Sequence, residues 1–394
     1  MNNNFFAFSA TETGYNHTRI NKVCEDASDF YDDEKMHICV VADGHGSDNY
    51  PRTEFGSKFA VDAAIKNVIE FVNTAEKSQV INDAENNFER MNQLAKSILR
   101  SWYESVEEDY NKKPFTEKEL EKVSDKYKNR YLSENIEERK VEKAYGCTLI
   151  IYVITDDYSF GMQIGDGKCV LIDENGQFLE PIPWDDDCQL NVTTSICDDD
   201  AIDEFRFYIS DKMPTAVFIG SDGIDDSYAN EEELYALYRS ILKIFIEYGD
   251  EVGKSEIREY LPVLTKRGSG DDVSMGLIIN QERAESNSFV FEMQMEVFKL
   301  TEELQDKKHK KDIVTEKALR LGSRKKWKDS VEIPSEEQRE ELVQVKDLIE
   351  EERNLSIQIQ KIEEKLVNLS ENQKNINFVD EADIHKSNKQ QEEA

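Results

Sequence analysis

Positive charge is scarce in this chain. Against 83 Asp and Glu stand 49 Lys and Arg, for a formal net charge of -34 and an isoelectric point near 4.6. That balance excludes a nucleic-acid or anionic-membrane binder acting through overall charge, since both surfaces attract cations. Long apolar runs are missing as well. The longest, Leu149 to Ile154, has the length of a strand and falls far short of a membrane span. The start, Met-Asn-Asn-Asn-Phe-Phe, lacks a basic region followed by an apolar stretch and does not read as a signal peptide. The cysteines are few and scattered (Cys24, Cys39, Cys147, Cys169, Cys188, Cys197), with no Cys-x-x-Cys pair. Free thiols in a reducing compartment are expected, in place of a disulfide frame or a zinc site. The expectation is a cytoplasmic protein with no nucleic-acid and no membrane partner.

What is present is a repeated design. The run His37-Ile38-Cys39-Val40-Val41-Ala42 stops abruptly at Asp43-Gly44-His45-Gly46. β-Branched residues favour a strand and the glycines allow a sharp turn after it. Tyr158–Ile164 runs likewise into Gly165-Asp166-Gly167, and Ala216–Ile219 into Gly220-Ser221-Asp222-Gly223. A further acidic point, Asp271-Asp272, precedes the apolar run Val273–Ile279. One Asp-Gly alone is an ordinary turn. Several carboxylates gathered at strand ends would repel or take up protons. A divalent cation removes that conflict, and Mg²⁺, Mn²⁺ and Ca²⁺ all prefer oxygen ligands.

Along the chain, strands are expected at 5–9, 37–42, 148–155, 158–164, 169–172, 205–209, 216–219 and 273–279. Thr13–His17 reads as a turn and Asp173-Glu174-Asn175-Gly176 as a hairpin turn. Helices are expected over 54–72 and 231–248. The charged segment 73–145 is helical, with Phe88, Met91, Leu94, Ile98, Trp102 and Val106 spaced at three and four. Pro114 separates that helix from one through Leu120, Val123, Tyr127, Tyr131 and Ile136, and neither carries chemistry. Residues 181–204, with acidic clusters at Asp185–Asp187 and Asp198–Asp200, form a loop or small flap. After Asn280 glycine nearly vanishes and Glu, Lys and Gln dominate. Val345, Leu348, Leu355, Ile359, Ile362, Leu366 and Leu369 follow alternating steps of three and four, broken only at Glu352. This heptad segment, 345–369, pairs with a second copy, with a partner, or with the helix around Met293, Val297, Leu300 and Leu304. Composition therefore divides the chain into a domain at 1–280, a helical extension at 281–378 and a disordered polar tail at 379–394.

In their order, Val41-Ala42-Asp43-Gly44-His45-Gly46, Gly146-Cys147-Thr148, Gly165-Asp166-Gly167, Ser221-Asp222-Gly223 and Asp271-Asp272-Val273-Ser274 resemble the motifs of metal-dependent protein phosphatases (the PPM, or type 2C, serine/threonine family). His17 followed by Cys24-Glu25-Asp26-Ala27 is similar to a bacterial branch of that family. The resemblance covers about residues 5–280 and implies an α+β fold, a two-sheet antiparallel β-sandwich flanked by helices, here with a helical, coiled-coil C-terminal extension. It implies that Asp43 bridges two Mg²⁺ or Mn²⁺ ions. The Gly44 carbonyl, Asp222 and Asp271 would complete one shell; Asp26, and Glu25 through water, would hold the other ion, and Asp166 a weaker third. The implied reaction is hydrolysis of phosphoserine or phosphothreonine in proteins by a metal-bound hydroxide, with His45 as general acid to the leaving oxygen. Three positions depart from the pattern: Asn21 stands where the family has a phosphate-binding arginine, Gly167 where many relatives have serine, and Asp272 in place of the common asparagine. Arg19, beside Asn21 and able to grip phosphate in bidentate fashion, is the expected substitute.

Two other classes compete with the phosphoprotein phosphatase: a catalytically weak phosphoprotein-binding scaffold acting through its C-terminal helices, and a hydrolase of small phosphate esters. The acidic residues of 185–204 suggest protein substrates with basic flanks, by charge complementarity.

Overall fold

The computed structural model describes residues 4–74, 80, 84–135, 138–185, 188, 193–323 and 336–392. Among these residues ten strands form two five-stranded sheets, all pairings antiparallel. In chain order the strands are β1 (Phe5–Glu12), β2 (Ala27–Asp32), β3 (Met36–Ala42), β4 (Leu149–Thr155), β5 (Ser159–Ile164), β6 (Lys168–Ile172), β7 (Phe178–Leu179), β8 (Arg206–Ser210), β9 (Ala216–Gly220) and β10 (Val273–Asn280). One sheet has the order β1-β10-β9-β6-β7, the other β2-β3-β4-β5-β8.

The two-residue period of the strands assigns the layers. Along β3, Cys39 and Val41 point into the core between the sheets, with Ile150, Tyr152 and Ile154 of β4 and Val217 and Ile219 of β9. The intervening Ile38, Val40 and Ala42 point the other way, onto helices. Every residue of β3 and β4 is therefore buried, and both read as continuous apolar runs. Two long helices, Thr53–Thr74 and Ala84–Lys112, cover that outer face through Ala60, Ala64, Val68, Met91, Ile98 and Trp102. The helices Glu231–Tyr248 and Asp250–Arg267 serve the facing sheet, where Phe245 packs on Phe6 and Tyr238 stacks on Phe218 at 4.2 Å. The expected helix-flanked two-sheet sandwich is thus present.

Local readings fare unevenly. The turn expected at 13–17 is largely a short helix, Tyr15–Ile20. Strand β2 and helix Asp250–Arg267 had no expected counterpart. The helix expected through Leu120, Val123, Tyr127 and Tyr131 is two short pieces, Glu117–Leu120 and Asp125–Tyr131, and Ile136 lies outside the described residues, as do Asp186 and Asp187. The hairpin turn at Asp173–Gly176 joins β6 to β7, with Gly176 at φ 76°.

By internal packing the chain divides into Met1–Ser286 and Asn287–Ala394. The second unit holds helices Ser288–Ser323 and Glu336–Glu392, packed on each other. Val290, Leu304 and Ala318 of the first and Leu348, Leu355 and Ile362 of the second are buried. Ion pairs cross between them: Lys307–Glu351, Lys311–Glu352 and Lys317–Glu341. These pairings run in opposite chain directions, so the heptad segment folds back on the earlier helix, one of the three arrangements its pattern allowed. The helix continues to Glu392, through residues whose composition suggested a disordered tail.

Candidate metal centre and active site

Strand register decides where the acidic residues meet. Ala27 pairs with Ala42, so Asp26, just before one, and Asp43, just after the other, lie at the same end of the β2–β3 pair. In the facing sheet Gly220 pairs with both Met275 and Lys168. Asp222 after β9, Asp271 before β10 and Asp166 before β6 are thereby brought to one end. Asp222 opens a one-turn helix whose N-terminal Ser221 is tied to β10 twice, Ser221 N to Ser274 O and Ser274 N to Ser221 Oγ, both at 3.0 Å. Asp43 is fixed from the Gly146-Cys147-Thr148 motif: its N–H donates to Thr148 Oγ1 at 3.1 Å, and its carbonyl accepts from Thr148 N at 2.8 Å. Gly44 continues that pairing in a bridge with Cys147.

The carboxyl groups of Asp26, Asp43 and Asp222 then form a chain. Asp43 lies between the other two and acts on both, and Ser221 stands beside Asp26. Burial, with the charges of Asp26 and Asp222, pushes Asp43 well above the usual carboxylate range. Burial and the nearby Asp272 push Asp26 up to about 7. Asp222 is raised by burial and by its acidic neighbours, Asp166 and Asp271 among them. Burial also raises Asp166, against a hydrogen bond from Thr193. Asp271 is exposed at the mouth of the group. Asp26 Oδ2 is buried with no hydrogen-bond partner. Oxygen donors crowded until they must hold protons, one of them unsatisfied, suit a hard divalent cation.

Glu25, buried beside Asp26, is pushed up to about 7 by burial despite Lys22. Its place is set by Asp272, whose Oδ1 accepts from Gly14 N at 2.6 Å and meets His17 Nδ1 at 3.0 Å, while Oδ2 accepts Glu25 N at 2.6 Å. Burial works to raise Asp272, but these bonds outweigh it and hold it below the usual range. Among the described residues, His17, Asp271 and Asp272 also approach one another within 4.8 Å. With both oxygens of Asp272 engaged by the chain itself, that residue is a clamp on the Glu25 backbone.

The two cations beside Asn21 lie differently. Arg19 is exposed on the short helix, over the Tyr15 ring at 5.9 Å. That helix ends at Asn21, which is left-handed at φ 54°, and Lys22 N returns to His17 O at 3.0 Å. The reversal aims Lys22 at the site, with Nζ 2.6 Å from Glu25 Oε2 and 3.1 Å from Gly46 O. Lys22, not Arg19, is thus the cation that lies against Glu25. His45 is half-buried, its Nε2 2.7 Å from Ser195 Oγ, and burial pushes its imidazole down to about 4. Gly167 has a steric reason: a Cβ there would lie 2.8 Å from Gly220 O. Three of the acidic flap residues face the chain's own cations: Asp198 pairs with Lys143, Asp199 with Lys140, and Asp185 lies 3.7 Å from Arg206. Sequence reasoning quoted Thr148 and Ser221 without giving them work, and passed over Ser195 altogether.

The model of the family described as protein phosphatase 2C matches residues 13–262, well over half of the 394-residue chain. The chain belongs to the protein phosphatase 2C family. The match contains every motif named above except the closing Asp271-Asp272-Val273-Ser274, which lies beyond it in the chain, at the start of β10. Solved structures similar to this protein include a bacterial serine phosphatase (17% identity, 70% of this chain and 97% of that one, TM-score 0.44). Others are the serine/threonine phosphatase Stp1 from Staphylococcus aureus (18%, 69% and 94%, 0.43) and the catalytic domain of the phosphatase PstP in complex with two manganese ions (14%, 70% and 97%, 0.41). No curated protein sequence matches this one. Among the described residues no helix is long and apolar enough to cross a membrane.

Proposed function

We propose that this phosphatase-family protein hydrolyses phosphoserine and phosphothreonine in proteins, with Mg²⁺ or Mn²⁺ held at the carboxylate chain. The observation that carries the reading is the convergence of Asp26, Asp43 and Asp222, with one buried oxygen of Asp26 unsatisfied. Asp43, the Gly44 carbonyl, Asp222 and Asp271 would hold one ion, Asp26 and Glu25 a second, and Asp166 a weaker third. Bound divalent ions acidify water and offset the negative charge of a phosphoryl group. Lys22 lies beside the same residues and would bind phosphate oxygens as a point charge. His45 would donate a proton to the departing serine or threonine oxygen. Its imidazole is neutral at rest, and a phosphate dianion beside it favours the charged form.

The test is release of phosphate from a phosphoserine peptide in the presence of Mn²⁺. Asp43→Asn and Asp222→Asn should each abolish turnover while the far-ultraviolet circular dichroism stays that of the parent. Undiminished activity in either variant removes the proposal. A preference for free phosphorylated metabolites over phosphopeptides would move the substrate class to small esters.

A further inference from the structure

We propose that Ser195 is the positioning residue for His45, gripping the imidazole by Nε2 and leaving Nδ1 as the nitrogen for the substrate. The inference rests on the role given to His45 above. Ser195 lies 150 residues further along the chain and is only 2% exposed, yet its Oγ is 2.7 Å from His45 Nε2. The contact is built from several sides. Ile196 N donates to Cys147 O at 3.0 Å and Ser195 N to Asp198 Oδ2 at 2.9 Å, while Lys143 holds Asp198 at 3.0 Å. The segment carrying Ser195 is therefore docked on Gly146-Cys147-Thr148, the motif that also fixes Asp43. Tyr50 closes another side of the ring, edge-on with centroids 4.6 Å apart. Gly146 leaves the space the ring occupies: a Cβ there would stand 2.7 Å from His45 Cδ2 and 2.9 Å from Cys197 Sγ.

Proton bookkeeping favours one tautomer. The hydroxyl of Ser195 has one proton and three neighbours within reach, His45 Nε2 at 2.7 Å, Cys147 O at 3.1 Å and Cys197 Sγ at 3.2 Å, of which the carbonyl can only accept. Cys197 N donates to Ser195 Oγ at 3.4 Å. With the hydroxyl proton on Cys147 O, Ser195 Oγ accepts from His45 and the neutral ring carries its proton on Nε2. Nδ1 is then the ring nitrogen left to face the substrate. Such a fixed partner sets both ring orientation and tautomer, as a group behind a catalytic histidine commonly does.

The experiment compares the parent, Ser195→Ala, Ser195→Thr, His45→Ala and the Ser195→Ala/His45→Ala double variant on a phosphoserine peptide and on p-nitrophenyl phosphate. Ser195→Ala should lower kcat on the peptide about tenfold, a fraction of what general-acid catalysis contributes, with KM unchanged. Turnover of p-nitrophenyl phosphate, whose leaving group scarcely needs an acid, should hardly change. Ser195→Thr should restore the peptide rate, and Ser195→Ala should cost nothing further once His45 is gone. Nitrogen-15 spectra of the His45 ring should show the Nε2–H tautomer in the parent and a mixture in Ser195→Ala. Equal slowing of both substrates, an undiminished Ser195 effect without His45, or unchanged ring spectra would overturn the assignment. If the parent fails to release phosphate at all, the functional reading falls, and the ring spectra alone decide the Ser195–His45 contact.

Discussion

Asn21 shows how one residue can redirect a site. It is the only non-glycine residue with positive φ among those described, and asparagine tolerates that left-handed geometry at a helix end far better than arginine. The position is spent on turning the chain, and the turn delivers Lys22 to Glu25. The departure at Asn21 was legible in the sequence; the cation brought to Glu25 depended on chain reversal and was not. The acidic residues make a sharper statement. Burial raises Asp26 from an ordinary 3.8, and Glu25 from 4.5, to about 7. The folded state then binds more protons than the unfolded one between roughly pH 4 and pH 7, so metal-free stability falls as pH rises through that window and is lowest above it. A divalent ion replaces those protons. We therefore expect the thermal midpoint of the metal-free protein to drop between about pH 5 and pH 8, and Mn²⁺ to raise it far more at the higher pH. Asp26→Asn should flatten the pH slope and remove most of the Mn²⁺ response. Equal stabilisation by Mn²⁺ at both pH values, measured by calorimetry, would mean the ion binds elsewhere.

At the level of elements, legibility followed periodicity. The buried strands β3 and β4, the helix Glu231–Tyr248 and the heptad seam declare themselves by unbroken apolar spacing. Strand β2 does not, because Ala-Ser-Asp-Phe-Tyr-Asp lies at a sheet edge with most of its length partly or fully exposed. Helix Asp250–Arg267 was hidden by Gly253 and by Pro262, which sits on the exposed side of the helix. Glu352 broke the heptad pattern for a reason that only the partner helix reveals: it faces Lys311 at 2.9 Å. Partly buried pairs of this kind set register more than they add stability. Glu352→Leu together with Lys311→Leu should stabilise the helical hairpin by about 1 kcal/mol, since apolar replacements of such pairs are often favourable. It should also loosen the choice of partner, so that oligomers appear on size-exclusion chromatography at high concentration. A strictly monomeric double variant of lower thermal stability would show the pair to be a net stabiliser.

Across the whole molecule, every residue placed in the candidate site lies inside the unit Met1–Ser286, while the second unit consumes its heptad seam within itself. Catalysis and the C-terminal helices should therefore separate cleanly, provided the cut respects the packing. Composition put the boundary near Asn280, at the end of β10. The fold carries it six residues further. Asn280 Oδ1 caps the helix Gln281–Ser286 by accepting Arg283 N at 3.0 Å, Arg283 Nη1 donates to Met213 O, and Ala284 is fully buried. A chain ending at Ser286 should keep the metal-dependent activity of the full protein on p-nitrophenyl phosphate and its thermal midpoint. One ending at Asn280 should unfold several degrees lower, as expected from the loss of about 1–2 kcal/mol of packing and capping in a domain of this size. Light scattering should find the full chain monomeric, because a seam closed within one chain offers no second copy the same surface. Loss of activity on cutting after Ser286, with the remaining domain folded, would instead make the helical hairpin part of the catalytic apparatus.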